Sequence, residues 1–304
     1  MNHAISIRVC REPEDLARFR AELMAYMRRD VQPDEDYFYT DEYRSDLERL
    51  RTREVDPAYF LFFEQDGRDV GFALAVVYAH EDGKQFILEF CVFPEYRGQG
   101  LGTACAEVLL DWGQEKGALY QELNAGTEAR QRFWRRLGFL PNGTDRWSNP
   151  LMLRPPEIQG ETTYERLSDP AELWELEDRY LLEIGEEPIN EDEAKEAAVR
   201  DAMKAGRIAF FLARRFGRPI GICSVATAFS TFACGSVGTL EDLFVEPLFR
   251  HQGVARGLIE AAGAYCREHG VASLTVTCAP CDEAMYQSLG FDARLGATYA
   301  MLIE

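Results

Sequence analysis

The stretch CVFPEYRGQGLGTACAEVLL at residues 91–110 has a counterpart in FVEPLFRHQGVARGLIEAAG at residues 244–263. Pro94 matches Pro247, Arg97 matches Arg250, Gln99 matches Gln252 and Gly100 matches Gly253, each pair 153 residues apart. The flanks repeat as well. DGRDVGF at 66–72 answers to FGRPIGI at 216–222, RRLGF at 135–139 to QSLGF at 287–291, and EPEDL at 12–16 to DPAEL at 169–173. The order is kept, and a period near 150 residues is a duplicated domain rather than a solenoid, whose repeats are shorter. Between the copies lies Arg154-Pro155-Pro156-Glu157-Ile158-Gln159-Gly160, a short and rather stiff connector. Domains are therefore expected at 1–154 and 161–304, with a linker at 155–160.

Each copy reads as the same order of elements. A short strand (ISIRVC; TTYERL) precedes an amphipathic helix carrying Leu16, Phe19, Leu23 and Tyr26, or Leu173, Leu176, Tyr180 and Ile184. Asp169, Pro170 and Glu172 read as N-cap, first helical residue and capping-box acid. A second helix is expected near 41–52 and 190–205. Three strands follow, with Asp66-Gly67 and Phe216-Gly217 at the first hairpin of each copy. A helix opens just after the Gly-rich segment, and a strand, a short helix ending in Leu-Gly-Phe and two final strands complete the unit. The fold class is α/β with a mixed sheet, present twice.

The 304 residues carry 33 Lys and Arg against 52 Asp and Glu, a net charge of −19. That sign disfavours nucleic acid and anionic membrane surfaces as partners, and leaves a cationic small molecule as the better match. No apolar run is long enough to span a bilayer. The N-terminus lacks the layout of a signal peptide, so the expected location is cytoplasmic. Eight cysteines are too sparse for a disulfide scaffold and read as reduced thiols. Cys278-Ala279-Pro280-Cys281 lacks a second CxxC or a His pair, and no metal site is expected.

Arg97-Gly98-Gln99-Gly100-Leu101-Gly102 lies between a strand and a helix, as does Arg250-His251-Gln252-Gly253-Val254-Ala255. Free N–H groups and a partial positive charge make a helix N-terminus a phosphate site, and glycine lets the backbone approach. Arg97 is expected to add a cation; His251 either donates to phosphate or is simply exposed. The segment is neither a Walker A loop nor a dinucleotide fingerprint.

Arg-x-x-Gly-x-Gly/Ala after a Val-x-Pro strand end, with an aromatic residue and Leu-Gly-Phe some 35 residues later, resembles the GCN5-related N-acetyltransferases (GNAT). The resemblance covers nearly the whole chain, twice. It implies a sheet that splays between its fourth and fifth strands, and direct acetyl transfer from acetyl-CoA to a primary amine. The pyrophosphate is implied to sit on Arg97, Gly98, Gln99, Gly100, Leu101, Gly102 and Thr103, with Val92 at the strand end. In the second copy the implied residues are Arg250, His251, Gln252, Gly253, Val254, Ala255 and Arg256, with Phe244 and Val245.

Glu89 and Asp242 stand at matching strand positions, three residues before Val92 and Val245. By alternation Asp242 shares a face with Phe244, and Glu241 with Leu243 and Val245. An acid in an apolar strand is either a base for the acceptor amine or a structural acid; Asp242 and Glu89 are preferred to Glu241. The family's acid tyrosine, four residues before the glycine of Leu-Gly-Phe, is Tyr286 in copy two and Trp134 in copy one. Indole cannot act as a general acid near neutral pH, so the second copy is expected to be the acetylating half.

Acids recur where the family binds acceptors: Asp34, Glu35, Asp36, Asp41 and Glu42 beside Tyr37, Phe38 and Tyr39, and Glu183, Glu186, Glu187, Glu191, Asp192 and Glu193. They suit a cationic amine or are solvated helix ends. The expected function is acetyl-CoA-dependent N-acetylation of a small cationic amine. The alternative is a CoA-binding or regulatory tandem protein with weak catalysis. Monomer and homodimer both stay open.

Overall fold

A computed structural model describes residues 4–31, 36–158, 160–189 and 192–296. The first copy runs β1 (Ser6–Val9), α1 (Pro13–Tyr26), α2 (Asp41–Arg51), β2 (Ala58–Gln65), β3 (Arg68–Tyr78), β4 (Lys84–Val92), α3 (Leu101–Glu115), β5 (Tyr120–Asn124), α4 (Glu128–Arg135), β6 (Leu140–Thr144) and β7 (Pro150–Arg154). The second runs β8 (Thr162–Arg166), α5 (Trp174–Ile184), α6 (Glu193–Lys204), β9 (Ile208–Arg215), β10 (Arg218–Ser230), β11 (Gly235–Val245), α7 (Val254–Glu268), β12 (Leu274–Val276) and α8 (Glu283–Ser288). Residues 1–143, 149–159 and 216–218 form one compact unit, and 144–148, 160–215 and 219–304 form the other. No helix among the described residues is long and apolar enough to cross a membrane.

Each unit is a mixed sheet. The first has strand order β1-β2-β3-β4-β5-β7-β6 and the second β12-β11-β10-β9-β8. Alternation along β2 sends Phe60 and Phe62 to one face and Leu61 and Phe63 to the other. The first face packs α1 and α2 through Phe19, Leu23 and Leu47; the second packs α3 through Cys105, Ala106 and Leu109. Phe19 stacks on Phe60 at 4.5 Å between ring centroids. In the second unit Leu173, Trp174 and Leu176 pack on Phe210, Leu212, Ile222 and Phe244. Burying each such side chain stabilises by roughly 1.5–3 kcal/mol.

Both expected hairpins are present. Asp66 and Gly67 have φ of 51° and 72°, Phe216 and Gly217 of 51° and 82°. Two left-handed residues in succession are what a two-residue turn between twisted strands requires.

Three local expectations need correction. Asp169 caps a short 3-10 turn through the Ala171 N–H, and Glu172 bonds Arg214 instead of closing a capping box. Ile184 is exposed rather than on the apolar face of α5, because the helix ends at Gly185 past the sheet. Of the two final strands expected after Leu-Gly-Phe in the second copy, none forms over residues 291–296, and 297–304 lie outside the described residues.

Candidate active site

In each sheet one strand pair is parallel, and its pairing stops early. The ladder between β4 and β5 runs from Lys84↔Tyr120 to Ile87↔Leu123, while β4 continues to Val92. The ladder between β11 and β12 runs from Gly238↔Leu274 to Leu240↔Val276, while β11 continues to Val245. The sheet thus opens beyond Ile87 in one unit and beyond Leu240 in the other. The strand edges past those points, Leu88–Val92 and Glu241–Val245, border a cleft with backbone groups to offer an extended ligand.

At the mouth of each cleft the chain turns through a short 3-10 segment into α3 or α7. Gly100 and Gly253, the residues before the helices, have φ of 81° and 83°. No atom lies within 4 Å of a Cβ built at either, so their need for glycine is conformational. Gly98 has φ of 77°, and its counterpart His251 holds φ of 60° and is exposed. A Cβ at Gly102 would meet only Phe133, at an ordinary 3.5 Å, so Ala255 fits the matching place. Thr103 donates its N–H to the Gly100 carbonyl, leaving the amides before it at a bare helix start.

The loops are braced alike. Arg97 donates through Nε to the Val92 carbonyl at 2.8 Å and pairs with Asp30 at 2.6 Å. Arg250 donates through Nε to the Val245 carbonyl at 2.8 Å and pairs with Glu183 at 2.7 Å. Burial works against ionisation of Asp30, but hydrogen bonds from Arg97 and Arg29 hold its carboxyl down at about 2. Gln99 reaches the Glu95 carbonyl and Gln252 the Leu248 carbonyl. Arg97, expected to add a cation for phosphate, pairs with Asp30 while its side chain stays 44% exposed. Glu183, expected among the acceptor acids, is likewise engaged. Arg256 donates to the Ser288 carbonyl at 2.7 Å, tying α7 to α8.

Over the open edge of β4, Glu89 lies with Tyr26, Tyr43 and Arg130. Burial pushes its carboxyl up to about 7, against the hydrogen bond from Tyr26 and the charge of Arg130. Both phenols are driven up, by burial and then by the Glu89 charge. Trp134, at the place of the expected acid, is 6% exposed and packs edge-on against Phe90, Phe133 and Phe139.

Over the open edge of β11 the groups differ. Asp242 is half-buried and accepts a hydrogen bond from the Ser224 hydroxyl. Burial raises its carboxyl, and the Ser224 bond opposes that. Alternation does not hold there. Ile222 pairs with Phe244 but Ser224 with Glu241, so Asp242 and Leu243 form a bulge, with Asp242 at φ of 51°. Glu241 is exposed, and its carboxyl is raised by partial burial and by Asp242. Tyr286 is half-buried and packs against Phe291. Burial, then Tyr180, Cys278, Asp282 and Cys223, push its phenol to about 12. Tyr180 in turn is raised by burial and by Asp242, Glu177 and Glu241. Charge interactions thus link Tyr180 with both Tyr286 and Asp242, and the Tyr180 ring lies 6.3 Å from that of Phe244 on β11.

Sequence reasoning missed Glu177, which is 4% exposed on α5, with Oε2 buried and without a hydrogen-bond partner. Its position was a usable signal: four residues after Leu173 and three before Tyr180, it lies on the apolar stripe. Asp192 caps α6, and Asp34, Glu35 and Glu191 lie outside the described residues. Cys278 and Cys281 are free thiols, and no group that could hold a metal ion occurs among the described residues.

Residues 19–139 match a family model described as the acetyltransferase (GNAT) family, and residues 182–300 one described as an acetyltransferase (GNAT) domain. Among solved structures, the chain is similar to a predicted acetyltransferase with acetyl-CoA from Clostridium acetobutylicum. That protein is 18% identical with a TM-score of 0.41, over 46% of this chain and 96% of its own. Glucosamine-6-phosphate N-acetyltransferase from Arabidopsis thaliana is 14% identical with a TM-score of 0.40, over 47% and 99%. Aminoglycoside N-acetyltransferase AAC(6')-Iy in complex with CoA is 22% identical with a TM-score of 0.41, over 48% and 97%. No curated protein matches the sequence.

Proposed function

Because the chain belongs to the GNAT acetyltransferase family and carries two of its domains in tandem, we propose that it acetylates a primary amine of a small cationic acceptor, using acetyl-CoA, with the chemistry in the C-terminal domain. The observation that carries the assignment is a phenol at the Tyr286 position, linked through Tyr180 to β11, where Asp242 is held by Ser224. The proposed division of the chain is 1–154, a linker at 155–160, and 161–304.

Acetyl-CoA would supply the acetyl group as an activated thioester. The two loops fit its pyrophosphate: left-handed positions at Gly98 and Gly100, or His251 and Gly253, lead into a helix start whose amides favour an anion. Residues 97–103 and 250–256 are the proposed holders, with Val92, Phe244 and Val245 at the strand edges. Arg97, Arg250 and Arg256 act there by bracing the backbone.

An amine attacks only when neutral, so an ammonium must first lose a proton. Asp242, raised by burial yet anchored by Ser224, is the proposed acceptor of that proton. Glu241 stands beside it at the rim and adds negative charge that attracts the cation. Tyr286 keeps its proton at neutral pH and is the proposed donor to the departing thiolate. The second amine proton, released as the amide forms, restores the phenol, and the proton on Asp242 returns to solvent.

A second reading holds for the N-terminal domain. Trp134 is locked among phenylalanines where a phenol would be needed, while the loop beneath is intact. Glu89 retains a base, with the phenols of Tyr26 and Tyr43 beside it rather than one at the place of Trp134. This domain is proposed to bind acetyl-CoA in a regulatory or weakly catalytic role. A panel of primary amines incubated with acetyl-CoA and read by thiol release tests the proposal. Turnover of cationic amines is expected; CoA binding without turnover of any amine would favour a purely CoA-binding protein.

A further inference from the structure

Beside their matching loops the two halves differ in charge. Helix α1 runs on into a π turn, Met27–Val31, a wide geometry that recurs at functional sites. Asp30 in this turn is the meeting point of arginines from three parts of the first unit. Arg97, from the loop after β4, reaches its Oδ2 through Nη2 at 2.6 Å. Arg29, from the turn itself, reaches the same oxygen through Nε at 3.0 Å and Nη2 at 2.8 Å. Arg130, near the start of α4, donates through Nη2 to the Asp30 carbonyl at 2.6 Å. Arg29 and Arg97 also share the Cys91 sulfur, at 3.9 and 3.7 Å.

The charges there do not balance. The acids that act on the three guanidinium groups are Asp30 and Glu89, and burial holds the Glu89 carboxyl up at about 7. Three cations thus face one full negative charge and one partial one, in a chain whose net charge is −19. The Arg29 and Arg97 side chains stay 40% and 44% exposed, and a guanidinium carries more N–H donors than these bonds use. An open groove of about 740 Å³, bordered by Arg29, Phe93, Pro94 and Tyr96, leaves room beside them. The second unit lacks the pattern. Arg29 corresponds to Leu182; Arg130, four residues before Trp134, corresponds to Asp282, four before Tyr286. There the Arg250–Glu183 pair alone answers to Arg97–Asp30. Bracing the loop therefore needs one arginine, and the first unit brings two more.

We propose that Arg29, Arg97 and Arg130 form an anion site beside the N-terminal loop that takes the phosphomonoester group of a ligand, with the Asp30 carboxylate preorganising the guanidinium groups. A phosphomonoester carries a charge of about −1.5 to −2 at neutral pH and three strong acceptor oxygens, and guanidinium forks match that geometry. The site is separate from the glycine-rich amides proposed for pyrophosphate. Its ligand is either a phosphorylated amine or CoA through its 3′-phosphate; the chemistry of recognition is the same.

Phosphorus NMR titration of the full chain with phosphoethanolamine tests the site. Saturable binding is expected, weakened roughly tenfold by Arg29→Gln and by Arg130→Gln. Asp30→Asn should strengthen it by roughly fivefold, because the competing carboxylate is gone. A purely structural cluster would not give that gain, and the gain does not depend on whether the arginine variants fold. Binding unchanged in the arginine variants, or not strengthened by Asp30→Asn, would overturn the site. Competition separates the two ligands. Phosphoethanolamine that stays bound at saturating CoA identifies a phosphorylated amine; displacement by CoA but not by dephospho-CoA identifies the CoA phosphomonoester. Equal displacement by both would make the cluster part of the pyrophosphate site and overturn the assignment. The titration involves no acetyl transfer, so its failure is separable from failure of the acetyltransferase reading.

Discussion

At the loop the two halves match bond for bond: Arg97 to Val92 and Asp30, Arg250 to Val245 and Glu183, Gln99 to Glu95, Gln252 to Leu248. All these partners are offset by the same 153 residues. Three residues back along each strand from Val92 and Val245, the match ends. The N-terminal half has Glu89 among Tyr26, Tyr43 and Arg130, with Trp134 sealed in aromatic packing. The C-terminal half has Asp242, Glu177 and Tyr180 with Tyr286. The comparison separates two demands. Holding a glycine-rich turn at a helix start needs one backbone path and one brace, and duplication preserves both. Moving protons needs particular groups in particular environments, and these have diverged.

The largest expected effect breaks the comparison at the phenol. Tyr286→Phe keeps the ring against Phe291 but removes the proton. Turnover should fall by roughly 10²–10⁴-fold with CoA affinity little changed, and Trp134→Phe should change it by less than about threefold. Steady-state kinetics with an amine from the screen checks both.

A smaller effect sharpens the contrast in the N-terminal half. The Glu89 carboxyl is raised from its ordinary 4.5 to about 7, so the folded state binds its proton more tightly than the unfolded chain. The contribution of Glu89 to stability is full below about 4.5 and is lost as pH rises through 7, a change on the order of 2–3 kcal/mol. Glu89→Gln should flatten that slope in the N-terminal unit. Thermal unfolding across this range, followed by tryptophan fluorescence, measures it; an unchanged slope would mean that Glu89 ionises normally.

The sequence shows plainly the features set by backbone geometry. Asp66-Gly67 and Phe216-Gly217 mark turns because left-handed pairs favour few residues, and the loop glycines mark helix starts for the same reason. Strand alternation holds along β2, where Phe60 and Phe62 face one way and Leu61 and Phe63 the other. It failed at Asp242, where a bulge inserts a residue and the period of two no longer applies. Asp178 and Arg179 look like the solvated side of α5, since charge runs usually are; only tertiary packing buries them. The engagement of Arg97 was hidden for a different reason. Its partner Asp30 lies 67 residues away, and nothing local connects the two.

The division of labour is tested most directly by disabling one loop at a time and following both CoA binding and turnover. Gly100→Glu and Gly253→Glu each place a side chain at a left-handed position and a negative charge where phosphate would sit, straining the backbone by about 1–2 kcal/mol. Calorimetric titration with CoA should show each variant losing one site and the double variant losing both. With the substrate amine, Gly253→Glu should abolish turnover while Gly100→Glu retains most of it. Loss of turnover in Gly100→Glu with full activity in Gly253→Glu would place the chemistry in the N-terminal half and contradict the account.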